Sequence, residues 1–496
     1  MAENYASSDS ESNDGWPEFT YYAKKHKKKE ANGAFNDDYD EDETEEVNHH
    51  YNDYDEDERE EVKKVKPKKP KVTLVEAAAQ IDASDLEAFL GDISAAFKEK
   101  DDIQMKRFSD YFERAFSPVS ASQFPWVRVL KEVPVRRTVY APLCHISDAV
   151  YKTSVNWINH RSSEGLSSFM LWCLDSILSD LRIQLNGSKK AVQQIAKFIG
   201  LAMVLRRKPD TLISVLPTLR ENKKYQGLDK LPLITWMVVQ ASVGDLSVGL
   251  YAWSQNLLPI VVGKKSGNME SRDFVLQVVE KILSTPNARP VLIGAVRKGK
   301  QLIPPRAFET LICVTFPSSN RVKGTEERFA VIYPVLREVV LCGSPGSKAM
   351  QQIFSFAIKA AGENKNPELS KEAVDIVIWC FSRSTKCYKQ WKNVYEYNIV
   401  ASVAVLKKLS DDWNVQATKL SSYEPLREIL KHFRQKNKKA LDAAPHHAHF
   451  KDADKYCKII AGRVSQGLGC KAACLTFAVL ASAVVVLYPN FGISGF

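Results

Sequence analysis

Two short segments carry residue types that could do chemistry, a glycine-rich loop and a histidine cluster. The loop Gly343–Lys348 resembles a phosphate-binding loop, but it lacks the GxxxxGK[ST] spacing and follows no predicted strand. The cluster His446–His449 could hold a transition metal, yet no acidic or cysteine partner stands at ligand spacing, which favours a polar linker. The sequence contains no nucleophile elbow, zinc motif or RNP-type strand. We therefore predict a non-enzymatic protein with no catalytic, cofactor or metal site.

The elements that would position any such residues are helices. Thr73 with Glu76 and Ser84 with Glu87 each fit a capping box, and apolar residues then recur at helical spacing. The clearest strand signal, Arg289–Ile293, stands alone. Helices with short Pro, Gly or Asn connections predict an all-α fold of stacked antiparallel pairs, an α-solenoid of the armadillo or HEAT kind. Predicted helices are Ser147–His160, Leu166–Leu185, Lys189–Arg206, Ser271–Leu283, Arg328–Leu341, Ser347–Ala361 and Lys371–Phe381.

Charge is distributed unevenly along the chain. Residues 1–71 carry 12 Lys/Arg against 21 Asp/Glu, whereas the remaining residues carry 57 against 38. A strongly basic folded part attracts anionic surfaces, which could be a lipid leaflet, RNA or the acidic tail of the same chain. Charge alone does not choose among them.

The first 71 residues are built from charge blocks without apolar periodicity, which predicts a disordered tail. Within them Asp38–Val47 recurs as Asp53–Val62 with one substitution, flanked by basic runs. The segment is either a solvated polyampholyte or a docking arm whose serines lie among acids, where an acid-directed kinase could act. Those candidate phosphorylation sites are Ser7, Ser8, Ser10 and Ser12.

Cysteine usage and the N-terminus both predict a cytosolic environment for most of the chain. The nine cysteines are an odd number and lie mainly in apolar helical stretches, which is typical of reduced structural thiols. The polar, acidic start lacks the charged and apolar regions of a signal peptide. Membrane insertion must therefore come from later sequence.

Two apolar stretches are candidates for membrane insertion. Leu231–Gly263 is interrupted by Asp245 and other polar residues, so buried core helices are the better interpretation. Residues 472–488 contain no charge in 17 positions, and at 1.5 Å per residue they span about 26 Å, close to the roughly 27 Å hydrocarbon thickness of the endoplasmic reticulum. We predict a transmembrane helix there; the alternative is a terminal core helix. The predicted anchor residues are Ala472, Leu475, Phe477, Val479, Leu480, Val484, Val485, Val486, Leu487 and Tyr488.

The flanks of this segment predict its orientation. Basic residues precede it and residues 489–496 contain none, so the positive-inside rule places the N-terminal bulk in the cytosol, as in a tail-anchored protein. Cys470 and Cys474, at the cytosolic boundary, are either S-acylation sites or ordinary thiols. Upstream, Leu426–Lys439 predicts a basic amphipathic helix, which either contacts anionic head groups or is simply solvated. The basic residues before the segment are Lys451, Lys455, Lys458, Arg463 and Lys471.

Five phrases of the sequence carry a family resemblance: Ile146–Asn159, Leu201–Asp210, Gly249–Pro259, Gly294–Gly299 and Pro345–Met350. They resemble the plant branch of the transmembrane protein 214 family, and the resemblance covers about Leu86 to Ala483. The resemblance implies an endoplasmic reticulum membrane protein with a long cytosolic helical region. Animal members are described as anchoring a pro-apoptotic caspase, but no motif in this chain identifies a caspase-binding surface.

Taken together, these patterns predict a scaffold or adaptor anchored in the endoplasmic reticulum membrane, whose cytosolic helices bind protein partners, with a link to stress or cell-death signalling implied by the resemblance. The alternative is an RNA-associated protein that uses the basic core and lysine runs. The expected organisation is a tail at 1–71, an N-terminal helical unit at 72–142, a solenoid core at 143–443, a basic juxtamembrane segment at 444–471, the transmembrane helix at 472–488 and a lumenal tail at 489–496.

Overall fold

The structure, a computed structural model, describes residues 72–185, 193–262, 269–317, 324–420 and 422–465. Within these ranges the secondary structure is helical, and the β-type pairing is an isolated bridge between Val72 and Val119. The all-α prediction is confirmed for this part of the chain. The chain divides into two units, Met1–Lys71 and Val72–Phe496, and the described residues all belong to the second. The predicted tail at 1–71 and transmembrane helix at 472–488 lie outside the described residues.

Helices follow one another along the described ranges with short connections. The first half contains α1 (Leu74–Ala79), α2 (Ala83–Ala96), α3 (Asp101–Ala115), α4 (Trp126–Glu132), α5 (Val135–Thr138), α6 (Asp148–Ile158), α7 (Ser163–Leu185), α8 (Ile195–Arg207), α9 (Asp210–Glu221), α10 (Leu231–Gly244) and α11 (Leu246–Ala252). The second half contains α12 (Met269–Leu283), α13 (Ala288–Arg297), α14 (Pro305–Thr315), α15 (Thr325–Leu341), α16 (Lys348–Ala360), α17 (Pro367–Arg383), α18 (Thr385–Val394), α19 (Ile399–Asp411), α20 (Trp413–Ala417), α21 (Glu424–Ala443) and α22 (448–465).

The starts of the first two helices test the predicted capping boxes. The Thr73 backbone N–H donates to Glu76 Oε2 at 2.8 Å and the Glu76 N–H donates to Thr73 Oγ1 at 3.2 Å, so this box is confirmed. The predicted box of Ser84 with Glu87 is wrong. Helix α2 begins earlier, at Ala83, because the Asp82 carboxylate accepts from the Ser84 N–H at 2.8 Å and caps the helix itself.

The isolated strand signal at Arg289–Ile293 does not correspond to a strand, since this segment forms the first turns of α13, in agreement with the all-α prediction. Pro290 lies in the first turn, where its missing N–H would have had no intrahelical acceptor. Leu292 and Val296, four residues apart, are both buried. A short apolar run has the same composition in a buried strand and in a helix, so periodicity alone could not distinguish them.

The described part of the middle apolar stretch, 231–262, forms buried helices, as predicted. Trp236 in α10 is fully buried, and its indole N–H donates to the Thr138 carbonyl oxygen at 3.1 Å. Asp245 separates α10 from α11, because its carboxylate accepts from the Ser247 N–H at 2.7 Å and lies 3.0 Å from Lys300 Nζ. Among the described ranges, no helix combines the length and the apolar character that a bilayer crossing requires.

Contacts between helices run mainly between elements that are close in chain order. Helix α8 packs on α10, α10 on α12, and α12 on α15. Farther along, α14 packs on α16, α16 on α18, and α18 on α21. These contacts bring α16, α18 and α21 together. The regular α-solenoid stays a prediction.

Candidate functional site

The last described helix, α22, docks on the fold through one apolar stripe. Ala453, Cys457, Ile460 and Val464 are buried, and their spacing of four, three and four residues places them on a single face. Burial raises the pKa of the Cys457 thiol to about 12, so this cysteine stays neutral at physiological pH and serves in packing. Helix α22 is therefore part of the folded unit.

The opposite face of α22 is basic. Lys451, Lys455 and Lys458 are all exposed, and at positions i, i+4 and i+7 they form one outward row, which we call the lysine face. Lys458 Nζ lies 2.6 Å from Asp454 Oδ2. Within the described part of the chain, Lys451 and Lys455 have no carboxylate within ion-pair distance. Lys451 and Lys455 thus present ammonium groups to an external anion, while Lys458 shares its charge with Asp454.

A buried aromatic cluster supports the helices beneath this face. The rings of Tyr395 and Phe433 stack with centroids 3.6 Å apart, and the Trp391 ring meets Phe433 edge-on at 4.8 Å. The Tyr395 hydroxyl donates to Asn437 Oδ1 at 2.9 Å, and burial raises the pKa of Tyr395 well above its ordinary value. These contacts join α18 to α21 across some forty residues of sequence. They hold the end of the described chain in one arrangement.

Helix α21 contains the predicted amphipathic segment Leu426–Lys439, and its helical character is confirmed. Its apolar face is used inside the protein, since Leu426, Ile429 and Phe433 are all buried. Only the basic side is free for an external contact. That side includes Lys431, Arg434, Lys438 and Lys439, which are exposed.

One carboxylate connects the basic side of α21 with the lysine face. Asp454 Oδ1 lies 3.8 Å from Arg434 Nε, while its other oxygen contacts Lys458. The two helices therefore present their basic residues next to one another. Arg463 is separate, because its guanidinium donates to the Ser410 carbonyl oxygen within the fold.

A second basic patch lies on the other side of α21, where it meets α18. Partial burial lowers the pKa of His432, and the charges of Lys392 and Lys436 lower it further. Lys436 Nζ pairs with Glu396 Oε2 at 2.9 Å, and the neighbouring Tyr397 is 90% exposed. Because its pKa is lowered, His432 is neutral at physiological pH and the lysines carry the positive charge of this patch.

An open groove lies between α17 and α19. Its volume is about 500 Å³, and it is lined by acidic residues such as Glu363 and Asp411 and by basic residues such as Lys371 and Lys407.

The residues singled out for chemistry are placed as follows. Ser347 caps α16 by accepting from the Met350 N–H at 3.2 Å, so its hydroxyl is engaged in the helix start. His446–His449 lies exposed at the beginning of α22. The described residues contain no group of three or more His, Cys, Asp or Glu side chains placed to hold a metal ion.

The predicted anchor, acylation and phosphorylation positions all lie outside the described residues. The lysine face itself is a feature that sequence reasoning missed. In the sequence, Lys451, Lys455 and Lys458 stand out only as basic residues before the apolar segment. Their spacing at i, i+4 and i+7 is the signal that predicts a common helix face. The residues outside the described ranges are the anchor positions Ala472, Leu475, Phe477, Val479, Leu480, Val484, Val485, Val486, Leu487 and Tyr488, the cysteines Cys470 and Cys474, and the serines Ser7, Ser8, Ser10 and Ser12.

Comparison with known proteins identifies the family. The family model described as "TMEM214, C-terminal, caspase 4 activator" matches residues 17–489. Transmembrane protein 214-A of Xenopus laevis is 21% identical over 376 residues, which cover 74% of this chain and 50% of that protein. Transmembrane protein 214 of Homo sapiens is 21% identical over 384 residues, 72% of this chain and 50% of that protein. The chain thus spans about half the length of these relatives, and no solved structure matches it. It belongs to the transmembrane protein 214 family.

Proposed function

We propose that this chain is a non-enzymatic scaffold of the endoplasmic reticulum membrane, whose helical unit faces the cytosol and binds protein partners. One observation carries the proposal. Helix α22 is packed on the fold and presents the lysine face on its outer side. Its described part ends at residue 465, and six residues separate it from the uncharged stretch 472–488. A folded unit followed closely by basic residues and an apolar segment has the arrangement of a membrane-anchored domain.

The charges that flank the apolar segment favour one orientation, and the length of the segment favours one kind of membrane. Basic residues precede the apolar segment and none follows within 489–496, which favours a cytosolic position for the helical unit. A span of about 26 Å suits the thin bilayer of the endoplasmic reticulum better than the thicker plasma membrane. The family's own name, which refers to transmembrane proteins, supports membrane association.

A scaffold role is favoured by the kind of surface that the helices present. We infer that they stack as a solenoid, which offers an extended face for protein binding. We place one docking position in the open groove between α17 and α19, which is lined by both acidic and basic residues. The family description names a caspase 4 activator, so a role in stress or cell-death signalling is part of the proposal.

The second candidate function is RNA association. Tyr397 is 90% exposed and follows Glu396, which pairs with Lys436 in the patch that also contains Lys392 and His432. An exposed ring near lysines can stack on a base. Crosslinking to RNA that survives stringent washing, and weakens when Lys24–Lys29 are neutralised, would favour this function.

The glycosylation state of Asn186 tests the proposed orientation. Asn186–Ser188 is the only Asn-x-Ser/Thr acceptor in the chain, and glycans are added only in the lumen. We expect the full chain expressed in cells to show no mobility shift on glycosidase treatment, because the helical unit faces the cytosol.

The matched control is the same chain with an acceptor tag appended after Phe496, which we expect to become glycosylated. A glycan at Asn186 with an unmodified tag would reverse the orientation and overturn the cytosolic part of the proposal. Because the tag reports on the opposite side, the two results together exclude a simple failure of the modification.

A further inference from the structure

The distance between the lysine face and the apolar segment is limited by the chain itself. Six residues, 466–471, separate the described part of α22 from Ala472. Even fully extended, the chain from residue 465 to Ala472 reaches only about 25 Å. If 472–488 crosses a bilayer, the end of α22 must lie within that distance of the head groups.

Because one side of α22 is packed against the fold, only its other side can face a membrane that lies nearby. Ala453, Cys457 and Ile460 bury the inner side of the helix against the fold, so the outer side cannot rotate inward. The side that remains for an external surface is the lysine face. Its charge is opposite to that of an anionic leaflet, and the leaflet is held nearby by the same chain.

The basic side of α21 widens this surface. Asp454 bridges Lys458 and Arg434, and its negative charge is thereby balanced by two cations. Lys431 and Lys438 lie on the same exposed side of α21 as Arg434, at i−3 and i+4 from it. A flat anionic layer could contact both helices at once.

We propose that the lysine face of α22, together with the adjacent basic side of α21, lies against the anionic head groups of the bilayer and sets the orientation of the helical unit on the membrane. This inference rests on the proposed membrane anchor. A bilayer is favoured over RNA at this surface because the short connection holds the bilayer close, and because the exposed aromatic residue, Tyr397, belongs to the other patch.

The test compares lysine labelling on two membranes. The full chain is reconstituted into vesicles of phosphatidylcholine alone, or of phosphatidylcholine with about 30 mol% phosphatidylserine. An amine-reactive reagent is added, and the labelling rate of each lysine is read by mass spectrometry. We expect Lys451, Lys455 and Lys458 to react about threefold more slowly on the anionic vesicles, and about 0.5 M salt to remove the difference.

Reference lysines lie elsewhere on the helical unit. Lys98, Lys298 and Lys365 are exposed and are distant in sequence from α21 and α22, so their rates should not depend on the lipid. In the variant K451Q/K455Q/K458Q, we expect Lys431 and Lys438 to lose their protection on anionic vesicles. The matched variant K98Q/K298Q/K365Q should keep it. Circular dichroism and thermal unfolding establish that both variants fold like the parent chain.

The possible results separate this inference from the proposal on which it rests. Equal labelling of the lysine face on both vesicles, with the chain co-floating in each case, overturns the inference and leaves the anchor intact. Failure to co-float with either vesicle refutes the anchor and the inference together. Protection of the lysine face by added single-stranded RNA, without protection by anionic vesicles, assigns the surface to nucleic acid instead.

Discussion

Deleting residues 472–488 is expected to move the chain from the carbonate-washed membrane pellet to the soluble fraction. The segment contains eight Leu, Val or Phe residues and no charge, and at roughly 0.3 to 0.6 kcal/mol each they favour insertion by about 2 to 5 kcal/mol. The lysine face could add only an electrostatic attraction, which salt and alkaline carbonate weaken. Fractionation followed by immunoblotting measures the change.

The matched control removes 17 residues from the acidic tail, positions 38–54, and leaves the apolar segment in place. We expect that variant to stay in the pellet. If the chain lacking 472–488 also stays in the washed pellet, another part of the chain is embedded in the membrane and the single-anchor model fails.

Replacing Phe433 with alanine is expected to lower the free energy of unfolding by about 3 to 5 kcal/mol, because the side chain is fully buried. Its ring stacks on Tyr395 and meets Trp391, so the cavity would open in the middle of the aromatic cluster. Denaturant unfolding of the full chain, followed by tryptophan fluorescence, measures the loss. Hydrogen exchange should show the largest decrease in protection in α18, α21 and α22.

Tyr397 provides the matched control within the same region. Its side chain is 90% exposed, so Tyr397→Ala should change the unfolding free energy by less than about 0.5 kcal/mol. A comparable loss in both variants would mean that the aromatic cluster does not hold the C-terminal helices together.

The sequence predicted helix starts and burial correctly where a single short pattern determines them. The Thr73–Glu76 capping box and the buried character of Leu231–Gly263 depend on neighbouring residues, and both were predicted correctly. In α3, Phe108 and Phe112 lie four residues apart and are fully buried, as is Phe116 directly after the helix, which is the local spacing expected of a helix face.

Prediction failed where two local signals competed or where the decisive contact is distant in sequence. Asp82 and Ser84 are both good N-caps, and only the position of the helix start selects Asp82. The contact of Tyr395 with Asn437 joins residues 42 positions apart, and no local pattern encodes it. The basic residues before the apolar segment look equivalent in sequence, yet Arg463 turns into the fold while Lys451, Lys455 and Lys458 face outward.

Protease protection measures on which side of the membrane the helical unit lies. Sealed microsomes containing the full chain, with one epitope before Met1 and another after Phe496, are treated with protease from outside. The proposed topology predicts that the first epitope is lost and that a short fragment carrying the second is protected until detergent is added. Loss of both epitopes in intact microsomes, or protection of the first, would contradict the account.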